Sequence, residues 1–211
     1  MLPLDVKEFI EQNIDKITDL NFESLYEDAV RVGGVYNVGQ LTEALLQADI
    51  NPLEYVTEIP SLYLDGADKA TPSFVIPHNI LRIKKAGFAF SNIQNIEIPD
   101  SCELSEGSFR SCSELTTIKI PAIMNEIPEE CFYACISLKQ VDLGDVEQIA
   151  NESFAHCRNL RDIIIPDCIE YISDSAFYNS PYVRLVVSSD NDYAIHYANQ
   201  NNIQVKVVDR V

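Results

Sequence analysis

Basic residues are scarce in this chain of 211 residues: 15 Lys and Arg stand against 33 Asp and Glu, a formal net charge of -18 at pH 7. A surface this acidic repels phosphate backbones and anionic lipid, which argues against direct nucleic-acid binding or attachment to a membrane surface and leaves positively charged partners open. Glycine is also sparse, at seven residues. A Gly-rich phosphate loop has little material to draw on, and Gly33-Gly34 lacks the strand, helix and Lys that such a loop requires. Long apolar runs are missing too. Uncharged stretches, such as the eleven residues from Ala86 to Ile96, all fall well short of a membrane span. The opening Met1-Leu2-Pro3-Leu4-Asp5-Val6-Lys7-Glu8 shows no basic leader followed by an apolar core. The expectation is a soluble, cytoplasmic protein.

What is present is globular in composition, 46% apolar and 23% charged, so the charge does not come from a disordered acidic tail. Phenylalanine recurs at Phe88, Phe109, Phe132, Phe154 and Phe177, at separations of 21, 23, 22 and 23 residues. A second marker keeps the same period: Ile76-Pro77, Ile98-Pro99, Ile120-Pro121, Leu143-Gly144 and Ile165-Pro166. Five residues before each phenylalanine stands an aliphatic residue, Ile83, Leu104, Ile127, Ile149 or Ile172. Six after it come Leu115, Leu138, Leu160 and Val183, with Ile93 one position early in the first unit. From there the chain reads apolar-x-x-apolar-x-apolar, as in Leu115/Ile118/Ile120, and the last two positions alternate as a half-buried strand does.

A unit of about 22 residues buries too little apolar surface to stand alone, so such units stack into a solenoid with one continuous core. Five units cover residues 74 to about 188. Proline at the strand end is where a missing ladder donor costs least. Beyond the repeats, Tyr193-Ala194-Ile195-His196-Tyr197-Ala198 reads as a short helix stopped by Asn201-Asn202, and Ile203 to Val208 alternates as a closing strand.

Units such as Phe109-Arg110-Ser111-Cys112-Ser113-Glu114-Leu115-Thr116-Thr117-Ile118-Lys119-Ile120-Pro121 and Phe132-Tyr133-Ala134-Cys135-Ile136-Ser137-Leu138 resemble the leucine-rich repeats of the Treponema, or bacterial-surface-antigen (BspA-like), type. The resemblance covers roughly residues 74 to 208. It departs at Leu143-Gly144 and in Val183-Arg184-Leu185-Val186-Val187, where the spacing breaks. It implies an α+β chain, a leucine-rich-repeat solenoid of about five units of 22–23 residues. It also implies adhesion or binding of host proteins for exported members; without a leader, this chain looks more like an intracellular relative from gut bacteria or their phages.

Residues 1 to 70 differ from the rest. Val6, Phe9, Ile10, Ile14 and Ile17 mark one helix face, Phe22, Leu25, Tyr26, Ala29 and Val30 a second, and Leu41, Ala44, Leu45 and Ala48 a third. Ile59-Pro60-Ser61-Leu62-Tyr63-Leu64 reads as a degenerate entry strand. The division expected is an acidic helical N-terminal domain or cap over residues 1–70 and the solenoid over 71–211, its C-terminal cap from about 190. The first part carries 14 acids against 4 bases, the second 19 against 11.

Candidate chemistry is thin. Cys112, Cys135 and Cys157 all stand three residues after the column phenylalanine, where the other units have Ser91 and Ser180, and Cys102 and Cys168 both stand just past a strand-end proline, three residues after Pro99 and two after Pro166. Repeat-equivalent cysteines of this kind read as small buried ladder residues rather than as zinc or redox ligands, with Cys131 the one outside the pattern. His78, His156 and His196 are far apart, and no nucleophile–base arrangement is suggested. No enzyme, cofactor or metal is expected. What remains is surface. The residues flanking the inward aliphatics would form a concave face that binds a protein partner: Asn95, Glu97, Thr117, Lys119, Gln140, Asp142, Asp162, Ile164, and Leu185 and Val187 if the register continues. Exposed Ile164, Leu185 and Val187 beside Tyr182 would make an apolar patch. Two alternatives stand beside this module: an acidic inhibitor that imitates nucleic acid and takes a basic partner, such as a phage counter-defence protein, and an extracellular adhesin without its leader.

Overall fold

The computed structural model describes Gln12, residues 52–61, Tyr63 and residues 73–209. The three helices expected before residue 51 lie outside the described residues, apart from Gln12, which is helical.

A 3-10 turn at Pro52–Tyr55 leads into a series of very short strands. They are β1 (Glu58–Ile59), β2 (Ser73–Val75), β3 (Arg82–Ile83), β4 (Asn95–Glu97), β5 (Glu103–Leu104), β6 (Thr117–Lys119) and β7 (Glu126–Ile127). β8 (Gln140–Asp142), β9 (Gln148–Ile149), β10 (Asp162–Ile164), β11 (Tyr171–Ile172) and β12 (Arg184–Ser188) follow, then helix α1 (Asp192–Gln200) and β13 (Gln204–Val208). Strands of the repeats alternate between three residues and two, and they pair in parallel with equivalent strands of neighbouring units in short ladders of two or three. β2 pairs with β4, β6 with β8, and β10 with β12, which pairs in turn with β13. β4 lies against β6 and β8 against β10, so these strands form one row. A second row runs β1, β3, β5 and then β7, β9, β11.

A third ladder runs through the turns that carry the phenylalanines. The amide of Phe88 donates to the carbonyl of Ser108, that of Phe109 to Cys131 and that of Phe132 to Ser153, at 2.8, 2.9 and 2.8 Å. Two residues on, Phe90 donates to Arg110, Ser111 to Tyr133, Ala134 to Ala155 and His156 to Tyr178. Each turn of the solenoid therefore pairs its backbone with its neighbour on three sides, which is how such short strands satisfy buried amides. The tight bends need left-handed residues at fixed places. Phe90, Ser111, Ala134, His156 and Asn179, each two after a column phenylalanine, all have φ between 53° and 61°.

The core is a set of columns. Phe88, Phe109, Phe132, Phe154 and Phe177 stack with ring centroids 5.3–5.7 Å apart and planes within 10° of parallel, and the first four are fully buried. Each buried ring contributes roughly 2–3 kcal/mol of apolar transfer, and each stacked pair about 0.5–1.5 kcal/mol more. Tyr63 begins the column. Its amide donates to the Gly87 carbonyl at 2.7 Å as Phe88 does to Ser108, and its ring meets Phe88 edge-on at 6.1 Å. The repeat thus extends one turn before the five units counted from phenylalanine, because a tyrosine fills the first place. The entry strand expected near Ile59 is β1.

The C-terminal cap takes the expected form. Asn191 caps α1 by accepting from the Ala194 amide at 3.0 Å, and Asn201 ends it. Tyr197 is buried against the solenoid and donates its hydroxyl to the Ser173 carbonyl at 2.8 Å. No described helix is long and apolar enough to cross a membrane.

Candidate functional site

The three-residue strands bury their middle residue and turn both flanking residues outward, because side chains alternate along a strand. Asn95, Glu97, Thr117, Lys119, Gln140 and Asp142 are all exposed. Asp162 is half-buried and Ile164 half-exposed. These eight residues form one face, two side-chain columns wide, on a backbone fixed by the ladders on either side.

The last unit corrects the expectation. β10 pairs with β12 so that Asp162 faces Arg184, Ile163 faces Leu185 and Ile164 faces Val186. Leu185 and Val187 therefore point inward and are fully buried. Val183 and Leu185 are two positions apart, where Leu160 and Ile163 are three apart, and a one-residue deletion inverts the facing of every residue after it. The expected apolar patch does not form. Arg184 and Val186 take the outward places, Val186 being buried there, and of the expected patch Ile164 and Tyr182 remain exposed.

The face has two edges of different chemistry. At the strand exits, the turn from Gly144 to Ile149 is one residue shorter than the turn from Pro166 to Ile172. A hollow of about 650 Å³ opens between these turns, lined by Val141, Leu143, Ile164 and Pro166, with Asp142, Asp145 and Asp167 at its rim. Gly144 sits at φ +59°, which a proline ring cannot adopt, so the missing proline is a consequence of the turn's geometry. At the strand entries lie Lys139 and Arg161, with Tyr182 under the Arg161 guanidinium at 4.3 Å. Arg184 grips Asp162 through two bonds of 2.8 Å, and this hydrogen bonding chiefly holds the Asp162 carboxyl below its ordinary range.

The cysteines form a hydrogen-bonded spine rather than a ligand set. Cys112 Sγ donates to the Phe88 carbonyl at 3.0 Å, Cys135 to Phe109 at 3.0 Å and Cys157 to Phe132 at 3.2 Å. Ser180 Oγ donates to Phe154 at 2.7 Å in the same way. Burial is the main cause that pushes the Cys157 thiol up to about 12 and holds Cys135 well above its ordinary value. Cys102 is buried, whereas Cys168 is exposed, against the expectation that both are ladder residues; the buried place three after the proline, which Cys102 fills, belongs in the last unit to Ile169, and Cys168 stands one residue short of it. Among the described residues no group of three His, Cys, Asp or Glu is arranged to hold a metal. His78 and His196 lie on the surface. His156 is packed between Tyr133 and Tyr178, with ring centroids at 5.0 and 5.7 Å, on a ridge that also carries Arg110 over Tyr133.

A parallel solenoid with aliphatic and phenylalanine columns at a period of 21–23 residues is a leucine-rich-repeat scaffold. The model of the BspA type leucine rich repeat region matches residues 57–205 in six copies, and the chain belongs to that family. No curated protein matches the chain. Among solved structures, a leucine rich cell surface protein from Faecalibacterium prausnitzii A2-165 is similar at 30% identity and a TM-score of 0.57, over 61% of this chain and 35% of that one. The pneumococcal vaccine antigen PcpA shares the fold at 24% identity and a TM-score of 0.56, over 65% of this chain and 37% of its own. A leucine-rich repeat protein from Bacteroides ovatus ATCC 8483 shares it at 18% identity and a TM-score of 0.50, over 72% of this chain and 46% of its own. The chain thus spans less than half the length of each of these proteins.

Proposed function

We propose that this chain is a non-catalytic protein-binding module whose contact surface is the face of Asn95, Glu97, Thr117, Lys119, Gln140, Asp142, Asp162 and Ile164. The observation that carries the reading is the rigidity of that face. Its side chains stand on strands whose middle residues are buried and which pair in parallel, β2 with β4, β6 with β8 and β10 with β12, so a partner meets a preformed surface at little ordering cost. The half-exposed Ile164, beside the hollow at Gly144, supplies an apolar contact within a polar face. The test is affinity capture of a protein partner with the wild-type chain and with an Asp142→Lys, Ile164→Glu variant whose circular dichroism is unchanged. Loss of the captured protein is expected; equal capture by both would refute the assignment to this face.

A second reading concerns placement. The similarity to a cell-surface protein favours display outside a bacterium over the cytoplasmic placement expected from the charge and ends of the sequence. Protease shaving of intact cells that make the native gene product tests it: removal of the protein supports display, and full protection refutes it. The acidic-inhibitor alternative rests on residues 1–70, most of which lie outside the described residues. Capture that disappears at about 0.5 M salt would turn the reading toward it.

A further inference from the structure

Six of the ten described Lys and Arg side chains have a carboxylate partner. Arg82 pairs with Glu58 and Glu103, Lys84 with Glu58, Lys85 with Glu106, Arg110 with Glu130, Lys119 with Asp100 and Arg184 with Asp162. In a protein with more than twice as many acids as bases this is the expected outcome, since every cation has carboxylates to choose from. The exceptions among the described residues are Lys139, Arg158, Arg161 and Lys206, all of them exposed. Lys206 acts on Asp162 at a distance. Lys139 and Arg161 occupy the same place in adjacent units, immediately before β8 and β10, which lie side by side in the row.

These two cations line a hollow of about 310 Å³ together with Gln140, Asn159 and Asp162. A second hollow of about 520 Å³ continues from Arg161 and Asp162 to Tyr182, Arg184 and Gln204. The groove is prepared for an anion in three ways. Asp162, the one acid in its wall, already takes both of its bonds from the Arg184 fork and leaves Arg161 unclaimed. The Arg161 guanidinium lies over the Tyr182 ring, which fixes its plane and leaves its edge donors available in that plane. The Asn159 amide is held by donating to the Ile136 carbonyl at 2.8 Å.

We propose that this groove docks an aspartate or glutamate side chain from an acidic segment of a protein partner, the carboxylate lying between Lys139 and Arg161. A planar carboxylate fits a fixed guanidinium edge with a point charge beside it. A nucleic acid would need a continuous basic stripe, whereas beyond this groove the molecule is acidic and repels a polyanion. The proposal rests on the protein-binding reading and gives one partner surface its chemistry: a segment acidic enough to find the two cations and short enough to avoid the negative surface around them.

The probe is a short rhodamine-labelled peptide, Gly-Ser-Glu-Glu-Ser-Gly, followed by fluorescence polarisation at low ionic strength. The wild-type chain is expected to bind it, and a Lys139→Gln, Arg161→Gln variant to bind about tenfold more weakly, the loss expected from two charge-assisted contacts at an exposed site. Arg82→Gln removes one positive charge from a paired position and is expected to leave binding within about twofold, which separates the groove from the effect of net charge. Lack of binding by the wild type, equal binding by the double variant, or displacement of the peptide by inorganic phosphate at lower concentration than by glutamate peptide would each overturn the proposal. The Asp142→Lys, Ile164→Glu variant distinguishes the two readings. If it loses its partner yet binds the glutamate peptide normally, both readings are supported; if wild type captures its partner but does not bind the peptide, this inference alone fails.

Discussion

Replacing a buried cysteine by serine ordinarily costs stability, because a hydroxyl is more expensive to bury than a thiol. At Cys135 the structure predicts otherwise. The thiol is fully buried and donates to the Phe109 carbonyl at 3.0 Å, and that carbonyl already accepts the Cys112 amide at 3.2 Å. Ser180 holds the equivalent place two units along. Its hydroxyl donates to the Phe154 carbonyl at 2.7 Å and accepts from the Cys157 amide at 3.0 Å. A hydroxyl at 135 therefore finds the same acceptor, and an O–H bond stronger than the S–H bond it replaces offsets most of the desolvation. Cys135→Ser is expected within about 1 kcal/mol of wild type. Cys135→Ala loses the hydrogen bond and the sulfur's packing between Cys112 and Cys157, about 1.5–2.5 kcal/mol in all. Urea unfolding followed by far-UV circular dichroism measures both, with the midpoint compared at constant slope. If serine proves as damaging as alanine, the spine is packing alone and the hydrogen-bond argument is wrong.

Two further outcomes follow from the same geometry. Gly144→Pro would restore the residue found at this place in the other units, yet φ +59° forbids the ring; the variant should lose about 3 kcal/mol, and a neutral or stabilising result by thermal unfolding would refute the assigned turn. Native protein at pH 7 should release one equivalent of thiol colour, from exposed Cys168, and six in denaturant; because the folded values of Cys102 and Cys157 are raised to about 12, the unfolded state loses these protons first, so stability is full below about pH 9 and falls as the pH rises toward 12. A titration of the unfolding midpoint that stays flat between pH 8 and 11 would contradict the burial of those thiols.

The columns were legible because each repeat states them again. Phe88 through Phe177, the aliphatic series and the Ile-Pro ends agree in spacing, and such agreement over five units leaves one way to stack them. The outward residues of β4, β6, β8 and β10 followed from strand alternation alone. The last unit was misread for a physical reason: a strand's facing depends on a parity, and Val183-Arg184-Leu185-Val186-Val187 is apolar at inward and outward places alike, so the pattern does not say where the residue lost between Val183 and Leu185 shifts the register. Tyr63 was missed as a column member because it stands four residues after Ile59 and 25 before Phe88, off the spacing of the other units, and because its unit carries tyrosine for phenylalanine.

The left-handed bends were equally invisible, since the chain places Phe90, Ser111, Ala134, His156 and Asn179 there rather than glycine. The sequence by itself determined the period, the core columns, the ladder role of Cys112, Cys135 and Cys157, and the cap that ends the solenoid, because all of these are set by apolar patterning within one or two units. Only the tertiary structure decided which cations are paired, where the shortened turn opens a hollow, and that Arg161 rests on Tyr182 beside Lys139. Those features depend on side chains more than twenty residues apart in the chain and one strand spacing apart in space, a relation that stacking creates and composition does not contain.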